Sequence, residues 1–152
     1  MSAESSELPR FLSPVQNGRS GFAALQKSVG ALLAEIGQHA LPMAALVLPA
    51  ADGVEDYATM AVSVMRKSAR LVEQARCLTA IELLVAAQAC DLREGISLAP
   101  RVAVVHAAIR AHVPMLQEDR PSAPDIVALD QLIASGAFDN TMPPRRDPAR
   151  AG

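Results

Sequence analysis

Between Val54 and Leu92 the chain contains neither proline nor glycine. Such a run predicts one continuous helix, and at ~1.5 Å per residue it would be roughly 55 to 60 Å long, well beyond the mean helix of a globular domain. Its first part mixes charged and apolar residues, among them Met60, Val64, Met65, Lys67 and Arg70, but the stretch LTAIELLVAAQAC at 78–90 is apolar on nearly every side. A helix apolar all round has to be surrounded.

The chain has 152 residues, 51% of them hydrophobic, which is enough for one core and too little for two. Aromatic residues make up only 3%, less than β-sandwiches usually carry, so helices packed through Ala, Leu and Val are expected. A second helix is predicted upstream: Phe22, Leu25, Val29, Leu32, Leu33 and Ile36 recur at steps of three and four from near Ser20 to about Ala40, where Pro42 stops it. Leu41 to Gly53, with two prolines among apolar residues, reads as a packed extended loop.

Two short helices follow. One runs from about Ala99 to His112, with Ser97 as its cap, Pro100 in its first turn and Val113-Pro114 as its stop. The other runs from Ala123 to Ser135, opened by a capping-box variant of Ser122 and Asp125 and closed by Gly136 in a left-handed conformation. The predicted fold is therefore all-α: a long-helix bundle with short C-terminal helices. An irregular lead-in (1–17, anchored by Phe11 and Leu12) precedes the helical unit (18–139), and a disordered tail (140–152) follows it. The short helices are too few to cover 78–90, so oligomerisation is expected to complete the core.

Several functions are disfavoured. A formal charge of −2 gives no footprint for nucleic acid, and the cluster Arg145, Arg146 and Arg150 lies in the Pro-rich tail. Met1 to Arg10 does not look like a signal peptide, and Glu82 and Gln88 interrupt the richest apolar segment, so a cytoplasmic protein without a membrane partner is expected. Glu82 and Gln88 are instead read as buried polar groups that fix helix register. Cys77 and Cys90 lie too far apart on one helix for a disulfide and read as buried thiols. His39, His106 and His112 lack metal-ligand spacing and read as ordinary exposed or interfacial histidines.

Four blocks stand in a fixed order: SGFAALQ at 20–26, EDYATM at 55–60, AIELLVAAQACDLR at 80–93 and IRAHVPMLQEDRPSAPDI at 109–126. The series resembles the C-terminal part of the aromatic amino acid ammonia-lyases, the histidine, phenylalanine and tyrosine enzymes with their related aminomutases, over roughly Leu8 to Asn140. In that family the second block reads as an amide followed by Glu, Asp, His and a Ser-Met pair at the start of a long core helix. The resemblance implies that Glu55 stands at the active-site glutamate, where a buried carboxylate handles protons near the substrate amine. Asp52 and Glu55 also have the spacing of a capping box, so a structural role for Glu55 stays open. Asp56 suits the positive end of a helix.

Three positions depart from the family pattern: Val54 replaces the amide, Tyr57 the histidine and Arg19 the asparagine before SGF. Each changes a polar contact near the family's substrate site, although Tyr57 retains a hydroxyl able to donate a proton. The family makes its methylidene-imidazolone electrophile by cyclising Ala-Ser-Gly in the N-terminal half, where a tyrosine base also lies. Neither segment is found here, and Ala134-Ser135-Gly136 reads as a helix end. No cofactor is expected in this chain, and the electrophile would have to come from a partner chain. The resemblance thus implies either a non-catalytic oligomer serving as scaffold or regulator, or one subunit of a split lyase contributing Glu55; a stand-alone lyase ranks below both.

Overall fold

The computed structural model describes residues 7–15, 18–43, 51–54, 60–93 and 95–139. Along them run four α-helices: α1 (Leu25–His39), α2 (Ala61–Leu92), α3 (Pro100–Arg110) and α4 (Ala123–Ala134), with 3-10 turns at Arg10–Leu12 and Ala51–Gly53. No strand occurs among the described residues, in agreement with the all-α reading. The central element is α2. It packs most extensively against α4, then α1, with smaller contacts to α3 and the Arg10–Leu12 turn.

The core follows from spacing. Gln74, Ala80, Ile81, Leu84, Ala87 and Gln88 are the buried residues of α2, and their steps place them on one side of it. Phe22, Leu25, Ile109, Val113, Leu116 and Leu129 close over that side. Full burial of a leucine such as Leu84 or Leu129 contributes about 1.5–3 kcal/mol relative to exposure. On the opposite side of 78–90, Thr79, Glu82 and Ala86 are exposed.

Several expectations need correction. The long helix begins at Ala61 instead of Val54, because Met60 has φ 48° and ψ 21°, a left-handed conformation that cannot continue a right-handed helix. At 32 residues, α2 is ~48 Å long. Asp52 does not cap it; Asp52 sits at φ 56° inside the Ala51–Gly53 turn. Helix α1 starts at Leu25, later than Ser20, after a turn. Helix α3 is preceded by Ala99 in an extended conformation with Pro100 next, so Ser97 lies outside the cap. Ser122 already has helical angles and makes no side-chain cap bond, and Asp125 accepts from Arg120 (2.7 Å) instead.

Glu82 is exposed, not buried, because it falls on the side of α2 opposite Leu84. Cys77 and Cys90 are free, as expected, but only half-buried. The end of α4 matches its sequence signal. Gly136 has φ 75°, its N–H reaches the Ile133 carbonyl (3.0 Å) and the Ala137 N–H reaches Leu132 (3.4 Å), a Schellman closure.

Candidate functional site

Two of the four sequence blocks, the third and the fourth, meet the lead-in turn around one buried side chain. Gln88, 1% exposed, sits on α2 among leucines and alanines, where an amide without partners would be costly. Its Nε2 donates to the carbonyls of Leu12 (3.2 Å) and Leu116 (3.0 Å), and its Oε1 accepts from the Leu116 N–H (2.9 Å). The glutamine thereby holds both the lead-in turn and the loop after α3 against the long helix. Its burial agrees with the expectation from sequence, but its bonds tie a turn and a loop to α2 instead of setting register between helices.

Block four then reaches block one. The Asp119 carboxylate accepts from the successive N–H groups of Ser20 (2.7 Å) and Gly21 (2.9 Å), serving the turn before α1 as a distant cap. These two bonds, Ser20 first, hold the Asp119 carboxyl below the usual carboxylate range; partial desolvation opposes them and the Arg19 charge assists. Arg19 itself donates to the Gln117 carbonyl and to Glu118. Arg19, a departure from the family pattern in sequence, thus ties block four to the residue just before block one.

A depressed carboxylate stabilises the fold at pH values above its unfolded titration, and that contribution is lost as pH falls through the folded value. Asp119→Asn is therefore expected to flatten the acid limb of stability against pH. Urea midpoints measured from pH 7 downward check this; an unchanged acid limb would assign the slope to other groups.

Beside this junction, Asp91 on α2 binds two residues of α3. One oxygen meets His106 Nε2 (2.6 Å) and the other accepts from Arg110 Nε (2.7 Å). His106 is therefore half-buried and paired, not an ordinary exposed or interfacial histidine as expected from sequence. Sequence reading assigned no role to Asp91 or Asp119, although block four contains the run QEDR, whose density of charge beside apolar residues is a signal of ion pairing. On the other flank, Arg76 and Asp130 pair at 2.7 Å, and the Asp130 carboxylate raises the arginine still further above its ordinary value.

This arrangement anchors loops. Each oxygen of the Asp91 and Asp119 carboxylates already has a protein partner, and among the described residues no group of three or more His, Cys, Asp or Glu side chains is placed to hold a metal ion. An apolar cavity of about 470 Å³ lies between the lead-in, α1 and α2, lined by Phe11, Phe22, Leu25, Val29, Ile81 and Val85 among others. Glu55 and Tyr57, the predicted site residues, lie outside the described residues, while the neighbouring Val54 is 85% exposed.

The Ala134-Ser135-Gly136 tripeptide does not fit a methylidene-imidazolone precursor. It forms the end of α4, where Ser135 Oγ donates to the Leu132 carbonyl (2.8 Å) and the Gly136 N–H is held by Ile133. That is the geometry of a helix terminus rather than of a compressed inner loop.

Fold and site together define an all-helical protein whose sequence blocks lock loops onto one long helix. Residues 1–111 match the family model described as aromatic amino acid lyase, and the chain belongs to that family. It is 41% identical over 134 residues to histidine ammonia-lyase of Anaeromyxobacter dehalogenans (strain 2CP-C), covering 88% of this chain and 26% of the relative. Among solved structures it resembles histidine ammonia-lyase from Trypanosoma cruzi, with TM-score 0.86 and 30% identity over 92% of this chain and 28% of that one. It is also similar to the ergothioneine-degrading ergothionase from Treponema denticola, with TM-score 0.85 and 27% identity over 91% of this chain and 28% of that one. The chain thus spans about a quarter of the length of these relatives. Among the described residues no helix is long and apolar enough to cross a membrane.

Proposed function

We propose that this chain is a helical assembly segment of the ammonia-lyase type, non-catalytic by itself, acting as an oligomeric scaffold or as a regulator of lyase chains. The supporting observation is how its polar groups are used. Gln88, Asp91, Asp119 and Arg19 are engaged in holding the fold together, while one side of α2 is exposed. The replacements Val54, Tyr57 and Arg19 point the same way. The proposed setting is the cytoplasm, where free thiols such as Cys77 and Cys90 stay reduced.

A second reading is favoured by the Glu55-Asp56 pair in block two. There the chain is one subunit of a composite histidine-type lyase, with Glu55 moving a proton near the substrate amine. The electrophile from another chain supplies the electron sink that loss of the β-proton requires.

The experiment combines native mass with ammonia release from histidine, phenylalanine and tyrosine. The first reading expects an oligomer, no ammonia, and an assembly unaffected by Glu55→Ala. Ammonia that appears only after adding a lyase chain bearing the Ala-Ser-Gly half, and that falls about 10²–10⁴-fold with Glu55→Ala, would establish the second reading instead.

A further inference from the structure

We propose that Asp52-Gly53 is a site of self-modification, at which the chain rearranges through a succinimide ring to an isoaspartate linkage directly ahead of the block containing Glu55. The carboxylate whose spacing suggests a helix cap plays no such part. Asp52 stands exposed in the Ala51–Gly53 turn, with φ 56° and ψ 34°, and the residue after it is glycine.

The aspartates of the core junctions differ on both counts. Asp91 is engaged by His106 and Arg110, Asp119 by the Ser20 and Gly21 N–H groups, Asp125 by Arg120 and Asp130 by Arg76. Each is followed by a residue with a side chain, Leu92, Arg120, Ile126 and Gln131 in turn, whose Cβ crowds the approach of its own nitrogen to the preceding carboxyl. Gly53 has no Cβ to obstruct that approach.

The step is an internal acyl transfer with no change of oxidation state. The Gly53 nitrogen attacks Cγ of the protonated Asp52 carboxyl group. An N–Cγ bond forms, the amide proton and the Cγ hydroxyl leave as water, and a five-membered ring closes. Water then opens the ring. Cleavage between the nitrogen and Cγ restores aspartate. Cleavage between the nitrogen and the α-carbonyl carbon leaves the chain running through the side chain, with a free α-carboxylate and a backbone longer by one methylene.

Ring closure requires Asp52 to leave its ψ of 34° and bring the Gly53 nitrogen onto Cγ. The turn permits this excursion. Ala51, Asp52 and Val54 are all exposed, so their side chains can move without opening the core, and the Val54 N–H closes the turn on the Ala51 carbonyl (3.0 Å). Ala51 is itself left-handed, at φ 51°, a conformation that alanine disfavours and that tilts the turn toward opening. Exposed turns open at far less cost than the whole fold. The product lengthens the approach to Glu55, three residues on, and moves a negative charge from side chain to backbone.

The test incubates the intact chain at neutral pH and physiological temperature, then maps it with the endoproteinase that cuts before aspartate and not before isoaspartate. Cleavage before Asp52 is expected to disappear about tenfold faster than cleavage before Asp91, Asp119, Asp125 or Asp130, and Gly53→Ala should slow that loss about tenfold by restoring a Cβ. Asp52→Asn closes the same ring by releasing ammonia and should form isoaspartate faster than the parent chain, a check that leaves Gly53 untouched. Isoaspartate that forms in urea but not in the folded chain would show that the turn shields the pair, and would overturn the proposal. Loss at equal rates before all these aspartates, or loss undiminished in a Gly53→Ala chain of unchanged helix content, would also overturn it. None of these outcomes depends on whether the chain assembles or joins a lyase.

Discussion

Gln88→Met is expected to lower the stability of the fold by about 3–5 kcal/mol, read from urea denaturation. The substitution is close in size and keeps the helix propensity, so the effect isolates the amide. Two carbonyls, of Leu12 and Leu116, and the Leu116 N–H all lose their partner at once. Leu116 is 3% exposed, which leaves little access for water, and each buried group left unsatisfied costs about 1–3 kcal/mol. A loss below about 1 kcal/mol would mean that water enters the junction and replaces the amide. The lead-in turn and the loop after α3 should both become more open to proteolysis, since one side chain holds the two.

Gly21→Ala is expected to cost about 2–4 kcal/mol, combining a disfavoured backbone conformation with overpacking. Gly21 has φ 49°, and an added Cβ would stand 2.5 Å from the Phe11 carbonyl oxygen. That oxygen cannot simply move aside, because it accepts from the Phe22 N–H (3.0 Å), while the Gly21 N–H is held by Asp119. The same denaturation measurement checks this, with Gly18→Ala as the control. Gly18 is also left-handed, at φ 77°, but has open space around it, so it reports the conformational part alone. Equal losses at the two glycines would remove the steric part of the explanation.

The two positions also show why parts of this molecule are legible without coordinates. Gln88 is conspicuous in sequence because an amide inside an apolar helix needs partners, whichever groups supply them. Its partners were invisible, because Leu12 and Leu116 reach it from opposite ends of the chain through backbone atoms that every residue possesses. Glu82 shows the limit of the same reasoning. It lies in the same apolar stretch, but six residues of α-helix turn it away from the side that Gln88 occupies, and the core covers only one of those sides. Arg19 shows another limit: judged by its motif it is a departure, and judged by its contacts it is a brace.

Helix boundaries divide in the same way. Gly136 closes α4 as read, because a left-handed glycine and its hydrogen bonds are local and involve only neighbouring residues. The start of α2 escaped prediction because Met60 adopts a left-handed conformation that its own side chain does not favour. Local chemistry therefore specified the helical class, the long central element and the need to satisfy Gln88. Which side of α2 became core depended on packing between segments, and the carboxylate that holds the turn before α1 comes from nearly a hundred residues away. Such choices rest on nonlocal burial and hydrogen bonding, which outweigh the fractions of a kcal/mol that separate one local conformation from another.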